Sequence, residues 1–236
     1  MPAWFVASRV TVDVIEGRAH VAGSAWEESG LELVVRGEPV PIVAERVPGT
    51  DLPARCPERH VQGDRTFCVG LDRPAVGGRD DAGLWWEHLR QYVLCQSVAK
   101  ATGVWPPNHA LDHGDAGGHH RNALEIASRL GIEDEYIAAY QDEPSWITDP
   151  DLRLLGRKDE PINGRAPCPR GCRVRGRPTV PKIRRKCRWR ADLLRLVIEE
   201  RKRRVELMRY WESVRKEGIV CCRTMRSCPL RDGAEG

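Results

Sequence analysis

The 236-residue chain is expected to fold as an α+β protein: an antiparallel β-meander with flanking helices, followed by a small cysteine-rich, helix-containing C-terminal module. Three observations lead there. The first 43 residues alternate β-branched and polar side chains in short runs punctuated by glycine, and the middle of the chain changes to helical spacing. The last 70 residues combine six of the nine cysteines, an excess of arginine and one long amphipathic stretch.

The strand pattern is clearest in Val10-Thr11-Val12-Asp13-Val14 and in Leu31-Glu32-Leu33-Val34-Val35, with Gly17, Gly23, Gly30 and Gly37 at the breaks. Pro39, Pro41, Pro48, Pro53 and Pro57 then describe an extended, turning connection, because proline supplies no ladder donor. From Asp81 to Thr102 the residues Leu84, Trp85, His88, Leu89, Tyr92, Val93, Gln96 and Ala99 recur at helical spacing, and Gly103 provides the stop. Trp105-Pro106-Pro107 leads into a Gly/His/Asp loop over 109–120. Short helices are expected over Arg121–Leu130, ended by Gly131, and around Glu133–Tyr140.

Residues 141–166, rich in Asp, Pro and Gly, are the expected linker, with Glu160-Pro161-Ile162-Asn163-Gly164 as its turn signal. Beyond Cys168, Cys172 and a basic run to Arg190, the stretch Arg190 to Glu217 carries Leu194, Val197, Ile198, Val205, Met208 and Trp211 on one stripe and ends at Gly218. The expected organisation is therefore a body over 1–140, a linker over 141–166 and a basic module over 167–236.

Charge divides along the same line. Residues 1–156 carry 14 Lys and Arg against 24 Asp and Glu, the remainder 24 against 10. An acidic body thus carries a basic tail, suited to phosphates or to an acidic protein surface. Only Trp189 interleaves the basic run Arg170 to Arg190, so base stacking is poorly served and a nucleic-acid partner is the weaker reading. No apolar run approaches the ~18 residues of a membrane span and no leader pattern is seen, which predicts a cytoplasmic protein with no membrane partner. Thiols in that compartment stay reduced, so nine cysteines point to metal binding or thiol chemistry rather than disulfides.

The segment Cys56-Pro-Glu-Arg-His60-Val-Gln-Gly-Asp-Arg-Thr-Phe-Cys68, followed by Trp85-Trp86, resembles the active-site stretch of ubiquitin-conjugating enzymes. There a four-stranded meander and a proline-rich turn lead to a His-Pro-Asn motif, a nucleophilic cysteine and a tryptophan. The resemblance places His60 on the family's histidine, Cys68 on its thioester cysteine and Trp85 or Trp86 on its tryptophan. Val61 and Gln62 stand in place of Pro and Asn, the gap to the cysteine is about two residues shorter, and the long N-terminal helix is absent, as in bacterial relatives encoded beside ubiquitin-like proteins. What it implies is acyl transfer: Cys68 accepts a ubiquitin-like protein from an activating enzyme as a thioester and passes it to an amine. Gln62 is the candidate oxyanion donor.

Two other readings use the same residues. Cys56, Glu58 and His60 stand at i, i+2 and i+4, so on an extended strand they share a face. With a fourth ligand from His109, His113, His119 or His120 they suggest a Cys/Glu/His/His metal site, similar to a bacterial metal-binding family named for such a set. That reading makes the protein a non-catalytic adaptor of the conjugation machinery. In the tail, Cys168, Cys172, Cys187, Cys221, Cys222 and Cys228 offer six thiolates, of which four complete a zinc site. Pro167-Cys168-Pro169-Arg170-Gly171-Cys172 resembles the short zinc tail of bacterial SecA. Zinc is the expected cofactor, since a segment so rich in arginine buries little apolar core. A zinc-dependent nucleic-acid module is the third reading.

Overall fold

The computed structural model describes residues 1–37, 40–70, 76–106, 109, 112–149 and 187–231, and the backbone of four two-residue strands between 154 and 178. The chain divides into two compact units. Unit 1 is Met1–Ala110 together with Val214–Gly236, and unit 2 is Leu111–Ser213. This division crosses the sequence-based boundaries: the expected linker falls within unit 2, and the end of the expected C-terminal module belongs to unit 1.

Unit 1 is built on a four-stranded antiparallel meander, β1 (Phe5–Val10), β2 (Val14–Ala19), β3 (Leu31–Arg36) and β4 (Ile42–Glu45), in that spatial order. Alternation does the sorting. Leu31, Leu33 and Val35 of β3 are buried while Arg36 is exposed, so one sheet face is dry. Gly17 in β2 is required by contact: a Cβ there would press on the Val6 carbonyl oxygen and the Phe5 ring. Over the dry face lies α1 (Arg79–Thr102), which contributes Trp85, Leu89, Tyr92 and Val93 to a core shared with Phe5, Trp26, Val61 and Phe67. Gly103 ends α1 in the left-handed conformation at φ 70°, and its carbonyl accepts the Arg226 N–H at 2.8 Å. The tail segment is thereby fastened to the end of α1, with Met225, Cys228 and Leu230 buried.

Unit 2 contains α2 (Asp115–Leu130), α3 (Glu133–Tyr140) and α4 (Arg190–Lys216) up to Ser213. The strands Leu154–Leu155 and Glu160–Pro161 pair as β5 and β6, and Arg173–Val174 and Arg177–Pro178 as β7 and β8. Ile126, Leu130, Tyr136, Ile147, Leu193, Leu196 and Val197 form the core.

Two expectations are corrected here. α2 begins at Asp115, six residues earlier than the glycine-bearing loop suggested, and Ala116, Gly117 and His120 are buried along it. On α4 the apolar stripe does not continue as expected: Val205 and Met208 are 41% and 56% exposed, while Glu200 and Arg203 are buried. An ion cluster takes the place of the stripe. Arg203 bonds Asp112 at 2.9 Å and grips both Glu200 oxygens at 2.6 and 2.7 Å, and Arg204 adds a third bond to Glu200 at 2.7 Å. Among the described residues, no helix is long and apolar enough to cross a membrane.

Candidate functional site

Cys68 lies on a short hairpin that extends the meander. The Phe67 N–H donates to the Val43 carbonyl of β4, and Val61 and Phe67 form an antiparallel bridge. The flanking hydrogen bonds are Gln62 N–H to Thr66 O and Cys68 N–H to His60 O, both 2.8 Å. Val61 and Phe67 are buried in the core, so alternation turns their neighbours Gln62 and Cys68 away from it. The hairpin thus brings the three residues of the predicted acyl-transfer site, His60, Gln62 and Cys68, onto two paired strands. Cys68 is half-buried, with its Sγ directed at the Gly70 carbonyl at 3.9 Å.

The strand turning into Cys68 is held from behind. His60 is buried, sits in the left-handed conformation at φ 53° and packs its ring edge-on to Trp105 at 4.6 Å between centroids. Tyr92 of α1 directs its hydroxyl at the carbonyls of Arg59 and His60, at 3.2 and 3.3 Å. One turn further along α1, Gln96 accepts from Arg59 Nε at 2.8 Å and donates to the Arg59 carbonyl at 2.5 Å. These helix residues were expected only as part of an apolar face. Their i, i+4 spacing and polar tips were the available signal.

Gln62 Nε2 is buried and has no hydrogen-bond partner among the described residues. Buried amide donors are paired in the great majority of cases, which sets this one apart. Trp85 is the core tryptophan of α1, and Trp86 packs against Trp4 and Phe5 at 5.7 and 4.9 Å.

The expected strand face of Cys56, Glu58 and His60 does not form. Pro57–Arg59 is a 3₁₀ turn, with Pro57 at its first position, and the left-handed His60 closes it. Of the histidines proposed to complete that set, His109 is in unit 1, with its Nε2 3.2 Å from Gln91 Nε2, and His113, His119 and His120 are in unit 2. His113 stacks on Tyr210 at 4.8 Å, and His119 bonds Glu199 through Nδ1 at 2.7 Å. His120 is buried beside Tyr136 and Asp112, and burial, with Arg203 adding to it, holds its pKa down to about 4.

The tail cysteines are also divided. Cys168 and Cys172 lie outside the described residues, and Cys187 is in unit 2. Cys221, Cys222 and Cys228 are in unit 1, where Cys222 Sγ lies 2.8 Å from Cys56 Sγ. The hydrogen bond from Cys56, aided by Thr224, holds the Cys222 thiol down to about 5. Burial pushes Cys228 up to about 12. None of the seven described cysteines is in a disulfide. No group of three or more His, Cys, Asp or Glu among the described residues already stands as a metal-ligand cluster.

Comparison with known families agrees with this geometry. Residues 4–107 match the model of the prokaryotic E2 domain, E2 denoting the ubiquitin-conjugating step. Residues 112–230 match the model described as a cysteine-rich domain, C-terminal to E2 domain. No curated protein and no solved structure matches the chain. An E2 domain works, in general, with a ubiquitin-like modifier and its activating enzyme. With a meander, a cysteine-bearing hairpin and two adjoining family matches, the chain belongs to the prokaryotic E2-domain proteins that carry a cysteine-rich domain after the E2 domain, and is an E2-like component of ubiquitin-like conjugation.

Proposed function

We propose that the protein accepts a ubiquitin-like modifier as a thioester on Cys68 and transfers it to an amine. The observation that carries this reading is the orphaned Gln62 Nε2, held by the hairpin register on the segment paired with Thr66-Phe67-Cys68. In the first step the Cys68 thiolate attacks the modifier's C-terminal carbonyl carbon, held as a thioester on the activating enzyme. A new C–S bond forms, the old one breaks, and the departing thiol takes up a proton. In the second step an amine nitrogen attacks the same carbon, the C–N bond forms, Cys68 leaves as thiolate and the amine loses a proton. Both steps pass through a tetrahedral oxyanion, and a preorganised amide N–H is the kind of donor that stabilises it. His60 serves through its backbone: its carbonyl receives the Cys68 N–H and fixes the strand that carries the sulfur.

The test is charging of the full chain with its activating enzyme, ATP and the modifier. A thiol-sensitive adduct that disappears in Cys68→Ala, and becomes a thiol-resistant ester in Cys68→Ser, supports the reading. An adduct unchanged in Cys68→Ala overturns it.

A further inference from the structure

Four cysteines converge in unit 1 from two distant parts of the chain. Cys56 opens the turn that leads to the Cys68 hairpin, whereas Cys221, Cys222 and Cys228 belong to the tail segment. Cys56 and Cys222 touch at 2.8 Å, Cys221 and Cys228 share a side-chain hydrogen bond, and Cys56 and Cys228 are close enough to interact through their charges. Polar donors reach two of the sulfurs: the Arg223 N–H donates to Cys221 Sγ at 3.3 Å, and Thr224 Oγ1 lies 3.1 Å from Cys222 Sγ. Arg223 adopts the left-handed conformation at φ 61° to make its turn, where glycine is the usual occupant.

A second observation concerns charge. Arg59 is 2% exposed, and among the described residues no carboxylate lies within ion-pair distance of it. Its ionisable neighbours are Cys56, Tyr92 and Cys222. A buried guanidinium with no carboxylate needs another anion. Four thiolates around a divalent cation carry a net charge of about −2 and provide one.

We propose that Cys56, Cys221, Cys222 and Cys228 bind one structural Zn²⁺ as a tetrathiolate, joining the tail segment to the turn that carries His60 and Gln62. Each thiol gives up its proton to solvent on binding. Zinc–sulfur bonds of about 2.3 Å imply sulfur–sulfur separations of roughly 3.8 Å, so the Cys56–Cys222 pair opens by about 1 Å to admit the ion. Cys221 and Cys222 line an open groove of about 400 Å³ with Pro53, Arg55 and Arg65, which gives the ion a route in. Cys56 is joined to Val61 by backbone bonds in both directions, and Val61 bridges Phe67, so the ion braces the strand before Cys68.

The experiment uses the full chain. Wild-type protein purified under reducing conditions is assayed for zinc by elemental analysis, and Co²⁺-loaded protein for the intense visible absorption of a tetrahedral tetrathiolate. The expected result is a tetrathiolate spectrum, with one metal equivalent fewer in Cys56→Ser and in Cys222→Ser than in wild type. Cys222→His retains the ion with a shifted spectrum, which guards against loss through misfolding, and Cys68→Ala retains the wild-type spectrum because its thiol is not a ligand. Three results overturn the proposal: no metal in wild type, undiminished metal in Cys56→Ser, or a Cys56–Cys222 disulfide in the mass spectrum of protein kept reduced. The metal readout does not depend on charging of Cys68, so the two proposals fail separately.

Discussion

Arg59 and Gln96 bond each other in both directions. The guanidinium donates to the Gln96 side-chain oxygen at 2.8 Å and to its backbone carbonyl at 3.1 Å, and the Gln96 amide returns a hydrogen bond to the Arg59 carbonyl. Gln96 is wholly buried and Arg59 nearly so. A polar helix residue thus clamps the turn that precedes the Cys68 hairpin, and Tyr92 reinforces the grip one turn earlier.

Truncating that clamp leaves a buried charge and a buried carbonyl without partners. Gln96→Ala is expected to lower the unfolding free energy by about 3 kcal/mol. It should also slow Cys68 charging at temperatures where the protein remains folded, because the His60 segment loses its backing. Urea denaturation and single-turnover charging measure the two effects. A fully stable Gln96→Ala contradicts the structural role.

Gln62 should behave in the opposite way. Its Nε2 has no hydrogen-bond partner among the described residues, so Gln62→Ala is expected to leave the melting temperature within about 2 °C of wild type, an effect of less than ~0.5 kcal/mol. Transfer from Cys68 to an amine should slow by about 10²-fold, the usual scale for removal of one oxyanion donor. Separate measurement of thermal stability and of thioester discharge distinguishes this pattern from general damage.

The buried ion cluster of unit 2 turns on Arg203, which bonds both Asp112 and Glu200. Arg203→Met leaves Asp112 and Glu200 facing each other without their shared cation, at a cost of about 3–5 kcal/mol. Arg203→Lys preserves the charge but cannot make the paired contact with Glu200, and should fall between. Calorimetric melting of the two variants gives the order.

His120 sets a pH dependence. Its folded pKa, about 4, lies below the ordinary value near 6.5 because burial, then Arg203, disfavours the imidazolium. The unfolded chain therefore binds the proton more readily between those values. Stability is full above pH 6.5 and declines as the pH falls toward 4, by on the order of 2–3 kcal/mol from this residue. His120→Gln should flatten that part of the curve, as read from denaturant unfolding at successive pH values. An unchanged slope refutes the assignment.

Much of unit 1 could be read from local pattern, because strand alternation and helix spacing report directly which face is dry. Leu31, Leu33 and Val35 sort themselves that way, and Gly103 stops α1 where expected. The motif singled out His60, Gln62 and Cys68, and all three lie on or beside the paired segments of one hairpin. Less visible were partnerships that depend on folding. The glycines near the start of α2 suggested a loop, since each costs a helix about 1 kcal/mol, yet burial of Ala116 and Gly117 carries the helix through. Pro57 turned Cys56, Glu58 and His60 out of the strand geometry that their spacing invited. Spacing also groups cysteines by proximity in sequence, whereas Cys56 meets Cys222 across 166 residues.

That long separation has a consequence for biosynthesis. Unit 1 takes its two parts from either side of unit 2, so its sheet and α1 leave the ribosome about 100 residues before the segment that packs beneath them. At ordinary rates of elongation the delay is roughly 5–20 s, long compared with the folding time of a small domain. Throughout that interval the Cys56 thiol and the Gly103 carbonyl at the end of α1 await Cys222 and the Arg226 N–H. Until then both groups are open to other partners, and the thiol to oxidation.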